Sequence, residues 1–89
     1  MQFYVYVLLS NQDNNFYIGY TKNLKRRIEE HQNGSVQSTK NRLPMMLVYY
    51  ETCLDNNDAI KRERYLKSGM GKRFLKNRIK NYLRGINIK

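Results

Sequence analysis

Cysteine is almost missing from this chain: Cys53 is the one thiol in 89 residues. No intramolecular disulfide can form. One cysteine and one histidine, His31, cannot supply a zinc cluster of the Cys/His type. Cys53 sits in an apolar run and reads as a small core residue. This usage fits a reducing, cytoplasmic setting. A leader is lacking as well. The stretch MQFYVYVLLS is apolar but short, with no basic leading region and no small-residue cleavage site, so no signal peptide is expected. No apolar run approaches the roughly 20 residues needed to cross a bilayer. Acidic residues are scarce: 7 stand against 17 Lys and Arg, a formal net charge of +10. So large an excess costs self-repulsion and points to a polyanionic partner, nucleic acid first. On charge alone an anionic membrane surface comes second, and a solvated basic surface without a partner third. With neither leader nor span, no membrane is expected as a partner.

What is present suffices for one globular domain over 1–89, with its core at about 3–84; hydrophobic residues make up 40% of the chain. Phe3 to Leu9 is aromatic and β-branched, as a strand would be. Its two faces, Tyr4/Tyr6/Leu8 and Phe3/Val5/Val7/Leu9, are both apolar, so cover is expected on both sides. Ser10 to Asn15 is a run of turn formers, and Phe16 to Tyr20 reads as a second strand. Gly19 within it leaves room for a close approach. Thr21 to Asn23 offers caps for a helix reaching about Gln32, stopped by Asn33-Gly34. Ser35 to Arg42 reads as a loop that Pro44 ends. Met45 to Cys53 is the third strand. Asp55 to Asp58 caps a helix from about Asp58 to Ser68. Gly69 and Gly71 bracket a break, and one last helix covers about Lys72 to Leu83, with Phe74, Leu75, Ile79, Tyr82 and Leu83 inward. Gly85 ends it, and the tail from Ile86 to Lys89 is expected to fray. The order β-β-α-β-α-α describes a small α/β (α+β) layer structure around one sheet, with three helices.

Several residues break these patterns. On a helical wheel, Ala59, Ile60 and Leu66 form the apolar stripe of the second helix, and Glu63 and Lys67 fall inside it. A carboxylate aimed at a sheet is costly unless it is paired or binds a cation. An (i, i+4) pair between Glu63 and Lys67 is one reading; an oxygen ligand for Mg²⁺ or Mn²⁺ is the other. In the first helix, Leu24, Ile28 and His31 share a stripe and Arg27 lies beside it. A solvated face with a half-buried histidine is one reading of Arg27 and His31. A phosphate grip with a neighbouring proton shuttle is the other. Tyr6 and Tyr17 fall at strand positions that could face each other. They read either as ordinary sheet aromatics or as phenols made basic by cations such as Arg27 and Lys67.

Together these residues resemble the GIY-YIG nuclease domain. Tyr4-Val5-Tyr6 matches its first motif and Tyr17-Ile18-Gly19 its second. Arg27 in KNLKRRIEEH stands at the place of the family's arginine, His31 where many members carry histidine or tyrosine, and Glu63 in AIKRERYLK at the place of its glutamate. The resemblance runs from about Phe3 to Lys76 and is to small standalone bacterial members. These are related to the nuclease domain of the excision-repair incision protein. It implies a three-stranded antiparallel sheet flanked by helices, one divalent ion (Mg²⁺ or Mn²⁺), and hydrolysis of DNA phosphodiesters in repair or processing. It also implies roles: Glu63 holds the metal, Arg27 stabilises charge on the phosphate, one of Tyr6 and Tyr17 activates water, and His31 assists. Tyr4 replaces the first glycine of the motif. Tyr20 stands where several members carry lysine, and Asn77 is a weak match to a late asparagine.

The remaining cations read as a substrate track: Lys40 and Arg42 in the loop, Lys67 on the second helix, and Lys72, Arg73, Lys76, Arg78, Lys80 and Arg84 on the last. A solvated basic face is the alternative for that helix. No recognition helix for reading bases is apparent, so little sequence preference is expected. The expected partner is DNA (single-stranded, branched or duplex, with RNA left open), with a protein partner for targeting as a further expectation. A non-catalytic nucleic-acid-binding module of the same fold is the alternative function.

Overall fold

The computed structural model describes residues 1–86. The chain begins with a hairpin. Phe3–Ser10 forms β1 and Phe16–Thr21 forms β2, as their aromatic and β-branched content favours. Asn14, at φ 63°, makes the left-handed step between them, a conformation asparagine tolerates better than most residues. Helix α1 spans Leu24–Gln32. The Asn23 side chain accepts from the Arg26 N–H at its start, and Gly34, at φ 83°, follows its end. A 3₁₀ turn at Lys40–Arg42 leads into β3, Met45–Cys53. Asp55 caps helix α2, Asn56–Lys67, by accepting from the N–H groups of Asn57 and Asp58. Helices α3, Gly69–Arg78, and α4, Lys80–Ile86, complete the described chain.

The sheet is antiparallel, in the order β2-β1-β3, the arrangement the sequence resemblance implies. β1 lies at its centre and is apolar on both faces, and both faces are covered. Val5 and Val7 pack with Ile18, Val48, Ala59, Leu66, Leu75 and Ile79, which is the side of α2, α3 and α4. Tyr6, Leu8 and Met45 pack with Tyr17, Leu24, Ile28, Leu43 and Leu47, which is the side of α1. Each large side chain fully buried here contributes roughly 1.5–3 kcal/mol. Cys53 borders the first cluster and is only partly buried.

Among the described residues there are four α-helices where the sequence pattern predicts three. The last helix is interrupted at Ile79, whose backbone (φ −116°, ψ 26°) leaves the helical region although its N–H still bonds Leu75 O. Leu75 and Ile79 are buried as expected, but Tyr82 is 49% exposed. Gly69 and Gly71 lie inside the first turn of α3 and do not bracket a break. The break falls one residue earlier, at Ser68, which ends α2 and caps α3 through its hydroxyl. A Cβ on Gly71 would collide with the Tyr65 carbonyl and Leu66 backbone, so glycine is what lets α3 turn tightly back on α2. α4 continues through Gly85 to Ile86. The rest of the tail expected to fray lies outside the described residues.

Candidate active site

The register of the hairpin sets the site. Tyr6 pairs with Gly19 and Leu8 with Tyr17. The two tyrosines therefore share a sheet face but stand diagonally rather than opposite, with ring centroids 6.5 Å apart. Gly19 leaves the space that the Tyr6 ring fills: a Cβ there would lie 2.9 Å from Tyr6 Cε1 and closer still to Oη and Cζ. The ring lies over Gly19 of β2, and its hydroxyl reaches His31 of α1.

There it meets His31. Tyr6 Oη and His31 Nε2 are 2.8 Å apart, both residues being buried. The other ring nitrogen, Nδ1, is 2.8 Å from Thr39 Oγ1, which is also buried. The His31 ring stands edge-on to both tyrosines, at centroid distances of 5.6 Å to Tyr6 and 5.1 Å to Tyr17. Burial pushes the His31 pKa down to about 4, and the neighbouring Arg27 charge adds to the shift. The imidazole is therefore neutral at pH 7 and carries one ring proton. Arg27 lies beside the Tyr6 hydroxyl and can only donate to it. The Tyr6 hydroxyl then donates to His31 Nε2, which accepts, while the single ring proton lies on Nδ1 and is donated to Thr39 Oγ1. Burial also raises the Tyr6 phenol to about 12, against the opposing pull of Arg27. Tyr17 is half-buried and accepts from Ser38 Oγ at 3.3 Å.

Arg27 is half-exposed and donates from Nη1 to Glu30 Oε1 at 3.0 Å. Its fork also faces the Tyr6 hydroxyl, and a guanidinium has further donors that suit a phosphate. Glu63 comes from α2, along the same stripe as the buried Ala59 and Leu66. Its side chain is 22% exposed and pairs with Lys67 Nζ at 3.2 Å, so the (i, i+4) pair forms. Glu63 also lies close enough to Tyr6 to add to the forces that raise its pKa. No group of three or more His, Cys, Asp or Glu side chains that could hold a metal is found among the described residues. A single partly exposed carboxylate does suit Mg²⁺ or Mn²⁺, which keep several waters and take substrate oxygens as ligands.

The GIY-YIG catalytic-domain family model matches residues 2–77. This chain belongs to the GIY-YIG family. Among related GIY-YIG chains, the UPF0213 protein of Desulfotalea psychrophila is 46% identical over 57 residues, 62% of this chain and 52% of that one. The UPF0213 protein of Clostridium perfringens is 42% identical over 65 residues, 72% of this chain and 69% of that one. The matched segment thus spans about half the length of the first relative and about two thirds of the second. The solution NMR structure of a UPF0213 protein from Bacillus halodurans superposes with a TM-score of 0.61 at 28% identity, covering 100% of this chain and 98% of that one.

Within the GIY-YIG frame, the structure draws Tyr6, Tyr17, Arg27 and His31 into one cluster and brings Glu63 to its border. Lys67 lies next to Glu63. Tyr20, at the position where several members carry lysine, donates its hydroxyl to Asn56 Oδ1 and ties β2 to α2. Lys40 is exposed in the 3₁₀ turn. Lys72, Arg73 and Lys76 are exposed on α3. Asn77 is exposed on the same helix, and among the described residues no hydrogen bond joins it to the cluster.

Arg42 is placed differently from the expectation of a substrate contact. It is clamped to Asp13 (Nε to Oδ2, 2.7 Å; Nη2 to Oδ1, 3.2 Å) and to the Asn15 carbonyl at 3.1 Å. Its fork is consumed in fastening the loop to the hairpin turn. Thr39 is the residue that sequence reasoning missed. One threonine in a polar loop carries no periodic signal, and only the fold sets it against His31.

Proposed function

We propose that this chain is a divalent-metal-dependent endonuclease that hydrolyses DNA phosphodiester bonds with little sequence preference, in the repair or processing of DNA. The observation that carries this reading is the convergence of Tyr6, Tyr17, Arg27 and His31 on one sheet face with the Glu63 carboxylate at its edge. Glu63 would hold one ion, Mg²⁺ or Mn²⁺. When bound, that ion supplies Lewis-acid stabilisation of charge on the phosphoryl oxygens. The other roles fall to the chain. Arg27 offers donors to the non-bridging oxygens as negative charge grows on them. Tyr6 already has an acceptor for its proton in His31 Nε2. It can take a proton from the attacking water as it passes its own to the imidazole. Tyr17, whose hydroxyl faces Ser38, has no such outlet and positions water or phosphate. Lys40, Lys72, Arg73 and Lys76 would track the substrate backbone.

A non-catalytic binding module is the second reading. The Glu63–Lys67 ion pair favours it, because it occupies the carboxylate assigned here to the metal. A single experiment separates the two: nicking of supercoiled plasmid and cleavage of labelled single-stranded and branched DNA with Mg²⁺ or Mn²⁺. EDTA and Glu63→Gln serve as controls. Metal-dependent nicking lost in Glu63→Gln supports the nuclease. Salt-sensitive binding with no cleavage on any substrate supports the binding module, and size-exclusion chromatography in cell extract would then test for a targeting partner.

A further inference from the structure

A second basic feature lies away from the tyrosine cluster. Two adjoining grooves run between the hairpin turn and the last two helices, and Asn14, Phe16 and Lys76 border both. The larger, about 460 Å³, is also lined by Leu9, Leu83, Lys80 and Arg84; the smaller, about 80 Å³, is also lined by Asn15 and Lys72. The two thus join into one cleft. Its cations are Lys72 and Lys76 on α3 and Lys80 and Arg84 on α4; helical spacing keeps each pair on one side of its own helix, and the shared cleft brings the two pairs together.

This cleft is not a mixed surface. No acidic residue lines it. Elsewhere four of the seven acidic residues are held in ion pairs: Asp13 by Arg42, Glu30 by Arg26 and Arg27, Glu51 by Arg62, and Glu63 by Lys67. Among the described residues, no ion pair involves Lys72, Lys76, Lys80 or Arg84. Four uncompensated cations around an apolar floor of Leu9, Phe16 and Leu83 carry a repulsion that an external anion would relieve. Phe16 is a strand neighbour of Tyr17, and alternation puts their side chains on opposite faces of β2. β2 is an edge strand. The cleft therefore opens onto the same sheet edge as the candidate active site, but from the other face.

We propose that this cleft is a second nucleic-acid site. In it, Lys72, Lys76, Lys80 and Arg84 hold consecutive phosphates, and Phe16, Leu9 and Leu83 receive the sugar and base edges. A strand bound there and at the tyrosine cluster wraps the β2 edge. The inference rests on nucleic acid being the substrate and adds a contact separate from the cleavage machinery.

The test measures binding in EDTA, where cleavage plays no part. Fluorescence anisotropy of a labelled DNA oligonucleotide compares the wild-type chain with Lys80→Gln/Arg84→Gln and with Lys61→Gln/Arg64→Gln. The last pair lies on α2 and removes the same charge from exposed positions outside the cleft. The cleft variant should lose about tenfold or more in affinity. Its log–log salt slope should fall by about 1.4–1.8, from two fewer phosphate contacts. The α2 variant should lose markedly less. In NMR titration of the wild-type chain, the Asn14 and Phe16 amides should shift on adding the oligonucleotide. Equal losses in both variants with unmoved Asn14 and Phe16 amides would reduce the cleft to general charge and overturn the proposal, as would full affinity in the cleft variant. A wild type that nicks plasmid while the cleft variant binds normally would sink this inference and leave the nuclease standing. Cleft-dependent binding without cleavage would do the reverse.

Discussion

His31 Nδ1 and Thr39 Oγ1 lie 2.8 Å apart with both residues buried, and this contact fixes which end of the imidazole faces Tyr6. A histidine beside a phenol has two neutral forms. Only the form with its proton on Nδ1 leaves Nε2 open to the Tyr6 hydroxyl. The loop after α1 thus acts on Tyr6 through His31. The same loop is fastened at its far end, where Ser10 Oγ donates to the Arg42 carbonyl at 2.6 Å and Arg42 grips Asp13.

Replacing Thr39 by valine keeps the shape and removes the acceptor. The Nδ1–H would then be buried without a partner, which costs about 1–3 kcal/mol. Urea unfolding should show that loss, and ¹⁵N shifts of the His31 ring should show the proton moving towards Nε2. Thr39→Ser should restore both. A valine variant with unchanged ring shifts would mean that Thr39 does not set the tautomer.

The depressed His31 pKa makes stability depend on pH in a definite direction. With pKa about 4 folded and about 6.5 unfolded, the unfolded chain takes up this proton first as pH falls. The contribution is whole above about pH 6.5, declines down to about pH 4, and is flat below. A shift of this size is worth about 3 kcal/mol. Denaturant midpoints for wild type and His31→Gln at pH 7 and pH 4 should differ in slope: the variant should lack this fall. Parallel slopes would show that His31 is protonated in the fold.

Gly19 is required by a side chain on the neighbouring strand and not by its own backbone angles. In Gly19→Ala the new methyl overlaps the Tyr6 ring. Overpacking of this kind typically costs about 1–3 kcal/mol. Tyr6 must swing off β2, and its bond to His31 Nε2 should break. The readouts are a lower urea midpoint together with a changed His31 ring environment by NMR. If the variant keeps both, the ring has another place to go.

Much of this arrangement is legible along the chain because it is local. Strand alternation puts Tyr6 and Tyr17 on one face, and Asn23 and Asp55 are capping residues before the helices they start. Glu63 stands out because it falls in the stripe of Ala59 and Leu66. What is not legible depends on distant neighbours. Leu75, Ile79 and Leu83 keep helical spacing across the interruption, so nothing in the sequence marks Ile79 as its place. Gly71 resembles a breaker, but its role is to let α3 lie against Tyr65 and Leu66. Arg42 resembles a free loop cation until the hairpin turn brings Asp13 to it. Thr39 acquires meaning only once the fold sets it beside His31.

Arg27 gives the sharpest test of the candidate site. One arm of its guanidinium is held by Glu30 at 3.0 Å, which aims the rest of the fork across the Tyr6 hydroxyl. Arg27→Lys keeps the charge but loses the planar fork, so a purely Coulombic role would survive the change. Donors placed for transition-state charge would not, and losing one such donor typically costs about 10²–10³ in rate. In single-turnover nicking with metal at saturating protein, Arg27→Lys should fall by that factor while its DNA affinity in EDTA changes less than about threefold, as expected for one exposed cation among many. Equal losses in rate and affinity would assign Arg27 to binding alone. An unchanged rate would remove it from the chemistry and leave Tyr6, His31 and Glu63 to account for any cleavage.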